Sequence, residues 1–287
     1  VFHPLQRFLG WQATLEQLAE QLDGHPSASS LRVMNHPRDI LAMFDKERSY
    51  HRMRAANVAV PLRIDGVTDY DTLRRRMQEE KQSRVFIKLL HGSSASGVVA
   101  YRARGERESA ITSSKLVQDP GEPDRIYNSL RIQHYTESSS IRRLIDLLAA
   151  QDVVVEQWLP KSSIDRRAFD MRVVVIAGKA THVVARSSRS PMTNLHLGNQ
   201  RESRERIIEA FGEEAFHAAM REAEKAATAF PDSFYFGADV MMCSNSLEPV
   251  VIEVNAFGDL LPNLLVDGMD TYQTEVARWF EQAGGAS

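Results

Sequence analysis

Three oxygen-bearing side chains late in the sequence carry the clearest chemistry: Asp239, Glu253 and Asn255, within FGADVMMCSNSLEPVVIEVNAF. The segment SNSLEP has turn chemistry, and its flanks ADVMM and VVIEV are apolar and partly β-branched, so the stretch predicts two strands joined by a turn. With the hairpin centred on Ser246, Asp239 and Glu253 are equidistant from the turn and lie opposite each other. Glu253 and Asn255 are two residues apart and share a face. Two carboxylates and an amide oxygen suit a hard cation such as Mg2+, which fills its shell with water and substrate phosphates. The competing reading is a surface hairpin with solvated acids. VVIEVNAF weighs against it, because an unpartnered carboxylate in an apolar strand is costly.

Cations come next. Lys88 ends the short strand VFIK and precedes LLHGSSASGVV. A lysine at a strand end followed by a small-residue loop can cradle phosphate, since glycine and serine let backbone N–H groups come close. Gly92 and Gly97 have Walker A spacing, but Val98 and Val99 stand where that loop needs Lys and Ser/Thr. VFIK looks like the kinase VAIK, yet the glycine loop follows the lysine and no HRD or DFG comes after it. A plain hairpin turn remains open for this stretch. FDMRVVVIAGKATHVVAR reads as a second hairpin around AGK, with Arg172 and Arg186 symmetric about Lys179. Two arginines on paired strands suit bidentate phosphate binding, and two surface arginines are the alternative. VVVEQWL, with Glu156 and Trp158, reads as a strand running into a turn that would suit a flat base, or as an ordinary core strand. Lys46, taken alone, reads more as a solvated surface lysine than as a ligand, and His196 more as a structural residue than as a ligand.

Helices must position these groups. Residues 5–22, 46–56, 71–82, 139–150, 202–230 and 271–282 have helical patterning, with a brief helix at 39–44. Residues 31–35 are strand-like, and the polar stretch 103–136, with DPGEP, predicts a surface loop between short strands. The 287 residues allow one large domain or two to three lobes, with 43% hydrophobic and 25% charged residues. A net charge of −3 predicts no pull toward nucleic acid or anionic membrane. The single cysteine, Cys243, excludes an intrachain disulfide. No apolar run approaches about 18 residues and no signal-peptide pattern is present, so a cytoplasmic location is expected.

In order, the chain holds DK at 45–46, IK and a serine-glycine loop at 87–97, VEQWLP at 155–160, DMR at 170–172, an arginine at 186, Asn194, Asp239 and EVN at 253–255. This ordered set resembles the ATP-grasp superfamily, especially the carboxylate–amine ligase branch that includes the ribosomal-protein glutamate ligases. The resemblance runs from about Asn35 to Leu265. It implies an α+β ATP-grasp fold, two α+β lobes clamping ATP, with a short or truncated N-terminal α/β domain. The domains it implies are a partial N-terminal domain at 1–45, linker helices at 46–83, a lid subdomain at 84–160 and a C-terminal subdomain with the metal site at 161–287. Lys46 and Lys88 look like the nucleotide-phosphate lysines, and Ser93, Ser94 and Ser96 like the mobile lid. Glu156, Gln157 and Trp158 look like the adenine hinge, and Asp165 is a candidate ribose acid. Asp239, Glu253 and Asn255 look like ligands of Mg2+ (or Mn2+), and Arg172 and Arg186 like the arginines that steady the transferred phosphoryl group. The loop AFGDLLPN, with Asp259, stands where the family has a Ser-Pro-Gly-like loop, so the acceptor does not follow from the likeness. The implied reaction is ATP-dependent ligation of a small carboxylate and an amine, possibly on a peptide, through an acyl phosphate with release of ADP and phosphate. The rival readings are an ATP-grasp kinase acting on a hydroxyl and a non-catalytic nucleotide-binding module.

Overall fold

The computed structural model describes residues 4–28, 30–93, 95–119, 121–194, 199–257, 261 and 263–284. Its helices are α1 (Pro4–Asp23), α2 (Pro37–Phe44), α3 (Lys46–Ala55), α4 (Tyr70–Glu79), α5 (Ser138–Ala149), α6 (Arg204–Phe211), α7 (Glu213–Ala226) and α8 (Thr271–Gly284). Its strands are β1 (Arg84–Leu89), β2 (Val99–Arg104), β3 (Arg107–Val117), β4 (Arg125–Tyr135), β5 (Val153–Gln157), β6 (Ser163–Ile164), β7 (Arg167–Ile176), β8 (Lys179–Ser188), β9 (Gln200–Glu202), β10 (Tyr235–Met242) and β11 (Pro249–Asn255). The fold class is α+β, with antiparallel pairing throughout the described ladders. Among the described residues no helix is long and apolar enough to cross a membrane.

Two compact units divide the chain. One takes the start of the chain to Leu9, residues 61–159 and residues 188–199; the other takes 10–60, 160–187 and 200 onward. Residues 46–60 therefore belong to the second unit and 61–83 to the first.

The first unit is a sheet of order β4-β3-β2-β1-β5. Its inner face, Val85, Ile87, Leu89, Val99, Tyr101 and Ala110, packs on Ile141, Leu144, Ile145 and Leu148 of α5 and on Leu73 and Met77 of α4. The period-2 burial of β1 against the period-3.6 burial of α5 is what lets a strand and a helix share this core. The polar stretch 103–136 is not a loop: β3 and β4 are eleven-residue strands within it. No residue of β4 is buried, so it lacks the apolar alternation on which strand prediction depends.

The second unit carries the sheet β11-β10-β7-β8-β9, with β6 paired to β7. Phe236, Ala238, Val240 and Met242 of β10 face the core, where α7 inserts Phe216, Ala219, Ala223 and Ala226. The expected single helix over 202–230 is broken at Gly212, whose φ of +86° ends α6 and begins α7. Glycine enters that left-handed region without a Cβ penalty. Residues 31–35 form no strand; Asn35 makes only an isolated bridge to Ser233.

The pairing of β10 with β11 contains a bulge. Val240 pairs with Val251 and Asp239 with Glu253, so Ile252 is an extra residue on β11. The bulge shifts the alternation of β11 by one step. Val251 and Val254, three residues apart, both enter the core with Val240 and Ala238. Glu253 and Asn255 then share the opposite face with Asp239 and Gly237.

Glu275, on α8, is 8% exposed, and burial followed by the Asp270 charge pushes its carboxyl up to about 7. Its folded pKa exceeds its unfolded one, so the group favours the fold at low pH and loses that advantage as pH rises from about 4.5 to about 7. We expect Glu275→Gln to be relatively more stable than the parent at pH 8 than at pH 4.5. Thermal melts at the two pH values check this; parallel pH dependence in both proteins would refute it.

Candidate functional site

Most of the residues singled out by sequence fall into two groups, one in each unit, and each group has its own electrostatic logic.

In the second unit the row runs across three strands. Arg172 on β7 lies opposite Asp239 on β10, which lies opposite Glu253 on β11. Arg172 Nε donates to Asp239 Oδ1 at 2.5 Å, and Arg186 Nη2 lies 3.0 Å from Asp239 Oδ2. Arg186 also holds Asp170 Oδ1 at 2.7–2.8 Å, and Lys161 Nζ donates to Asp170 Oδ2 at 2.7 Å. Asp170, Arg186 and Asp239 are all buried. Burial alone would raise the Asp239 carboxyl, but Arg172 and Arg186 outweigh it and hold it below the ordinary carboxylate range. Burial alone would also weaken the Arg186 charge, and Asp170 and Asp239 more than restore it. Three cations face two carboxylates, so one positive charge is in excess at the core of the group.

Lys46 is the first residue of α3, where Asp45 caps the helix by accepting from the N–H groups of Glu47 and Arg48 at 2.9 and 3.0 Å. From there Lys46 Nζ reaches to 3.6 Å from Glu253 Oε1. The structure thus brings Lys46, Arg172, Arg186, Asp239 and Glu253 into one chain of contacts. Arg172 and Arg186 meet through Asp239 rather than across their own hairpin. That hairpin turns on Ala177 and Gly178, both at positive φ, so it is not centred on Lys179 as the sequence suggested.

Asp165 is not drawn into this group. It sits at positive φ on the exposed β6–β7 turn, where Arg206 pairs with it at 2.7 Å.

Asp239, Glu253 and Asn255 provide hard oxygen donors on one face of the hairpin. The amide nitrogen of Asn255 is buried without a hydrogen-bond partner, so no bond opposes turning its oxygen to that position. Among the described residues no group of three or more His, Cys, Asp and Glu forms a metal-holding cluster. Two carboxylates with an amide fit a Mg2+ ion that keeps most of its shell for water and phosphate.

Asn35 escaped the sequence analysis, which placed it only at the end of the strand-like residues 31–35. Its side chain donates to the carbonyls of Tyr235 and Ala256, both at 2.9 Å, and accepts from Tyr235 N–H at 3.2 Å. It therefore ties the start of β10 to the end of β11 and fixes the ends of the strands that carry the acids. Asp170 and Lys161 were missed as well; the D of DMR was the available signal.

In the first unit, Lys88 Nζ donates to Glu156 Oε2 at 2.6 Å, and Arg63 Nη2 lies 3.7 Å from Glu156 Oε1. Lys88 and Glu156 are buried. The Gln157 N–H donates to Leu62 carbonyl at 2.8 Å, and Trp158 N–H to Arg84 carbonyl at 3.4 Å. Trp158 packs against Phe86, with ring centroids 5.2 Å apart. The loop after Lys88 is anchored at both ends: Gly92 N–H donates to Leu89 carbonyl, and a Cβ at Gly97 (φ +67°) would run into the Leu89 side chain. Ser93 accepts from Arg7 at 3.3 Å and, through its carbonyl, from Ser96 N–H at 2.9 Å. Ser96 is buried, and Ser94 lies outside the described residues.

Removing one member of a buried ion group leaves its partners uncompensated. We expect Arg186→Met to lower unfolding free energy by ~3–5 kcal/mol, because Asp170 and Asp239 lose a shared cation. Urea denaturation measures this, and a loss below about 1 kcal/mol, the worth of an exposed pair, would refute it.

No family model matches the chain, and no curated protein matches its sequence. Solved structures do match its fold. The ATP-grasp ligase PsnB, complexed with a phosphomimetic variant of its minimal precursor, Mg and ADP, has a TM-score of 0.52 at 16% identity, covering 97% of this chain and 71% of that one. The macrocyclase MdnC from Microcystis aeruginosa MRC, bound with precursor peptide MdnA, has 0.50 at 10% identity, covering 94% and 70%. D-alanine–D-alanine ligase from Bacillus anthracis, complexed with ATP, has 0.50 at 14% identity, covering 93% and 68%. With its two antiparallel sheets, each backed by helices, the chain has the ATP-grasp fold.

Proposed function

We propose that this chain is an ATP-dependent ligase that joins a carboxylate to an amine through an acyl phosphate, releasing ADP and phosphate, with an amino acid or peptide as substrate. The observation that carries the reading is the buried group in which Arg172 and Arg186 grip Asp239, with Glu253 beside it and Lys46 on Glu253. A pure nucleotide binder, served by Lys46 and Lys88, has no need of a second cationic pair buried among its acids. A phosphoryl-transfer centre does, because negative charge spreads over the phosphoryl oxygens during transfer.

In this reading Asp239, Glu253 and Asn255 hold Mg2+ or Mn2+. When bound, the ion neutralises phosphate charge. Lys88 and Lys46 hold nucleotide phosphates, and Glu156 to Trp158 border the base. The substrate carboxylate oxygen attacks the γ-phosphorus while the bond to the β–γ bridging oxygen breaks and ADP leaves. The amine nitrogen then attacks the acyl carbon, phosphate departs, and the nitrogen loses a proton. Arg172 and Arg186 orient the phosphoryl oxygens through both steps as guanidinium forks. Support also comes from what the matching proteins hold: a precursor with Mg and ADP in PsnB, a precursor peptide in MdnC.

Turnover with candidate carboxylates and amines tests the reading. ADP and phosphate should appear together, and hydroxylamine in place of the amine should give a hydroxamate. Arg172→Ala and Glu253→Gln should each lower the rate by about a hundredfold or more. AMP with pyrophosphate, or ADP with a phosphorylated alcohol and no hydroxamate, would overturn it.

A further inference from the structure

The first unit carries a second concentration of positive charge that no step above uses. Arg84 of β1 lies opposite Arg102 of β2, and Arg104 of β2 lies opposite Arg107 of β3. Like charges placed directly opposite on a sheet repel. All four guanidiniums belong to exposed residues, and among the described residues none of the four forms an ion pair with a carboxylate. Glu108 stands in the wall, but its carboxylate turns to the hydroxyls of Tyr70 and Tyr101. Ser109, whose hydroxyl accepts from Arg102 Nε at 2.8 Å, and His134 complete the lining of a concavity of about 450 Å³.

We propose that this arginine face docks an acidic, extended polypeptide segment. Residues two apart on a strand, such as Arg102 and Arg104, are ~6.8 Å apart, and same-face carboxylates of an extended chain repeat at the same interval. Each guanidinium presents a fork that matches one carboxylate, so alternating acids meet the arginines in register. An anion there also removes the repulsion between the facing pairs. Nucleic acid is the poorer occupant. The lining has no Phe, Tyr or Trp on which a base could stack, and the chain as a whole has a net charge of −3. The inference does not depend on the ligase reading.

Fluorescence anisotropy tests it, using a labelled peptide of alternating Glu and Ser, the Lys–Ser counterpart and a single-stranded oligothymidine. The acidic peptide should bind and weaken as salt is added, and the Lys–Ser peptide should not bind. Affinity should fall by about tenfold or more in Arg102→Glu/Arg107→Glu and in Arg84→Ala/Arg104→Ala, each with the parent's circular dichroism spectrum. Absence of binding to the parent, equal affinity in a folded variant, or tighter binding of the oligothymidine would overturn the proposal.

Discussion

The buried sharing of Asp239 between Arg172 and Arg186 is the constraint on which the second unit's chemistry depends. A carboxylate with almost no water contact stays ionised only while its cations stay in place. Those cations are on β7 and β8, and the carboxylate is on β10, so the ion group welds three strands where hydrogen bonds alone would leave the side chains free. Asp170 and Lys161 extend the same logic outward: Arg186 is itself held by Asp170, and Asp170 by Lys161. The result is a pre-set charge pattern held by the fold itself, the kind of arrangement that needs no reorganisation to act on a neighbouring charge.

Backbone ties serve the same end. Asn35 links the outer ends of β10 and β11, and Val251 N–H donates to Ala59 carbonyl at 2.8 Å, so β11 is held from both sides. Asp39, buried at the start of α2, accepts from Arg52 and from the N–H of Asp232, and so secures the segment that leads into β10. In the first unit a comparable economy joins Lys88 to Glu156: the strand that presents the lysine and the strand that presents the acid are neighbours, and their side chains neutralise each other.

Much of this was legible because acids and arginines in apolar strands have few stable fates. ADVMM and VVIEV had to be buried strands, and the polar groups within them had to meet partners. The opposition of Asp239 and Glu253 follows from centring the hairpin on Ser246, yet the pairs nearer the turn centre half a residue earlier, and the bulge supplies the difference. Alternation alone cannot reveal a bulge. The Arg172–Arg186 hairpin shows the opposite failure: AGK locates the turn, but the left-handed pair Ala177–Gly178 sets its midpoint before the lysine. β3 and β4 were hidden because polar strand faces resemble loops, and the interruption at Gly212 because helical periodicity continues across it. Contacts of high sequence separation, such as Asn35 with Ala256, leave no local pattern at all.

Ile252 has no polar group, yet it is the one residue of β11 that the ladder with β10 does not use. As the surplus residue of the bulge, it spaces Val251 and Val254 three apart while both enter the core. A chain shortened by that single residue would keep the same pairs in plain alternation, with Val251 and Val254 in the core and Glu253 still on the face of Asp239. What the surplus residue adds is therefore not the choice of face but local bend and twist of the strand beside Glu253, so its deletion should alter how that carboxylate is aimed and leave the register untouched.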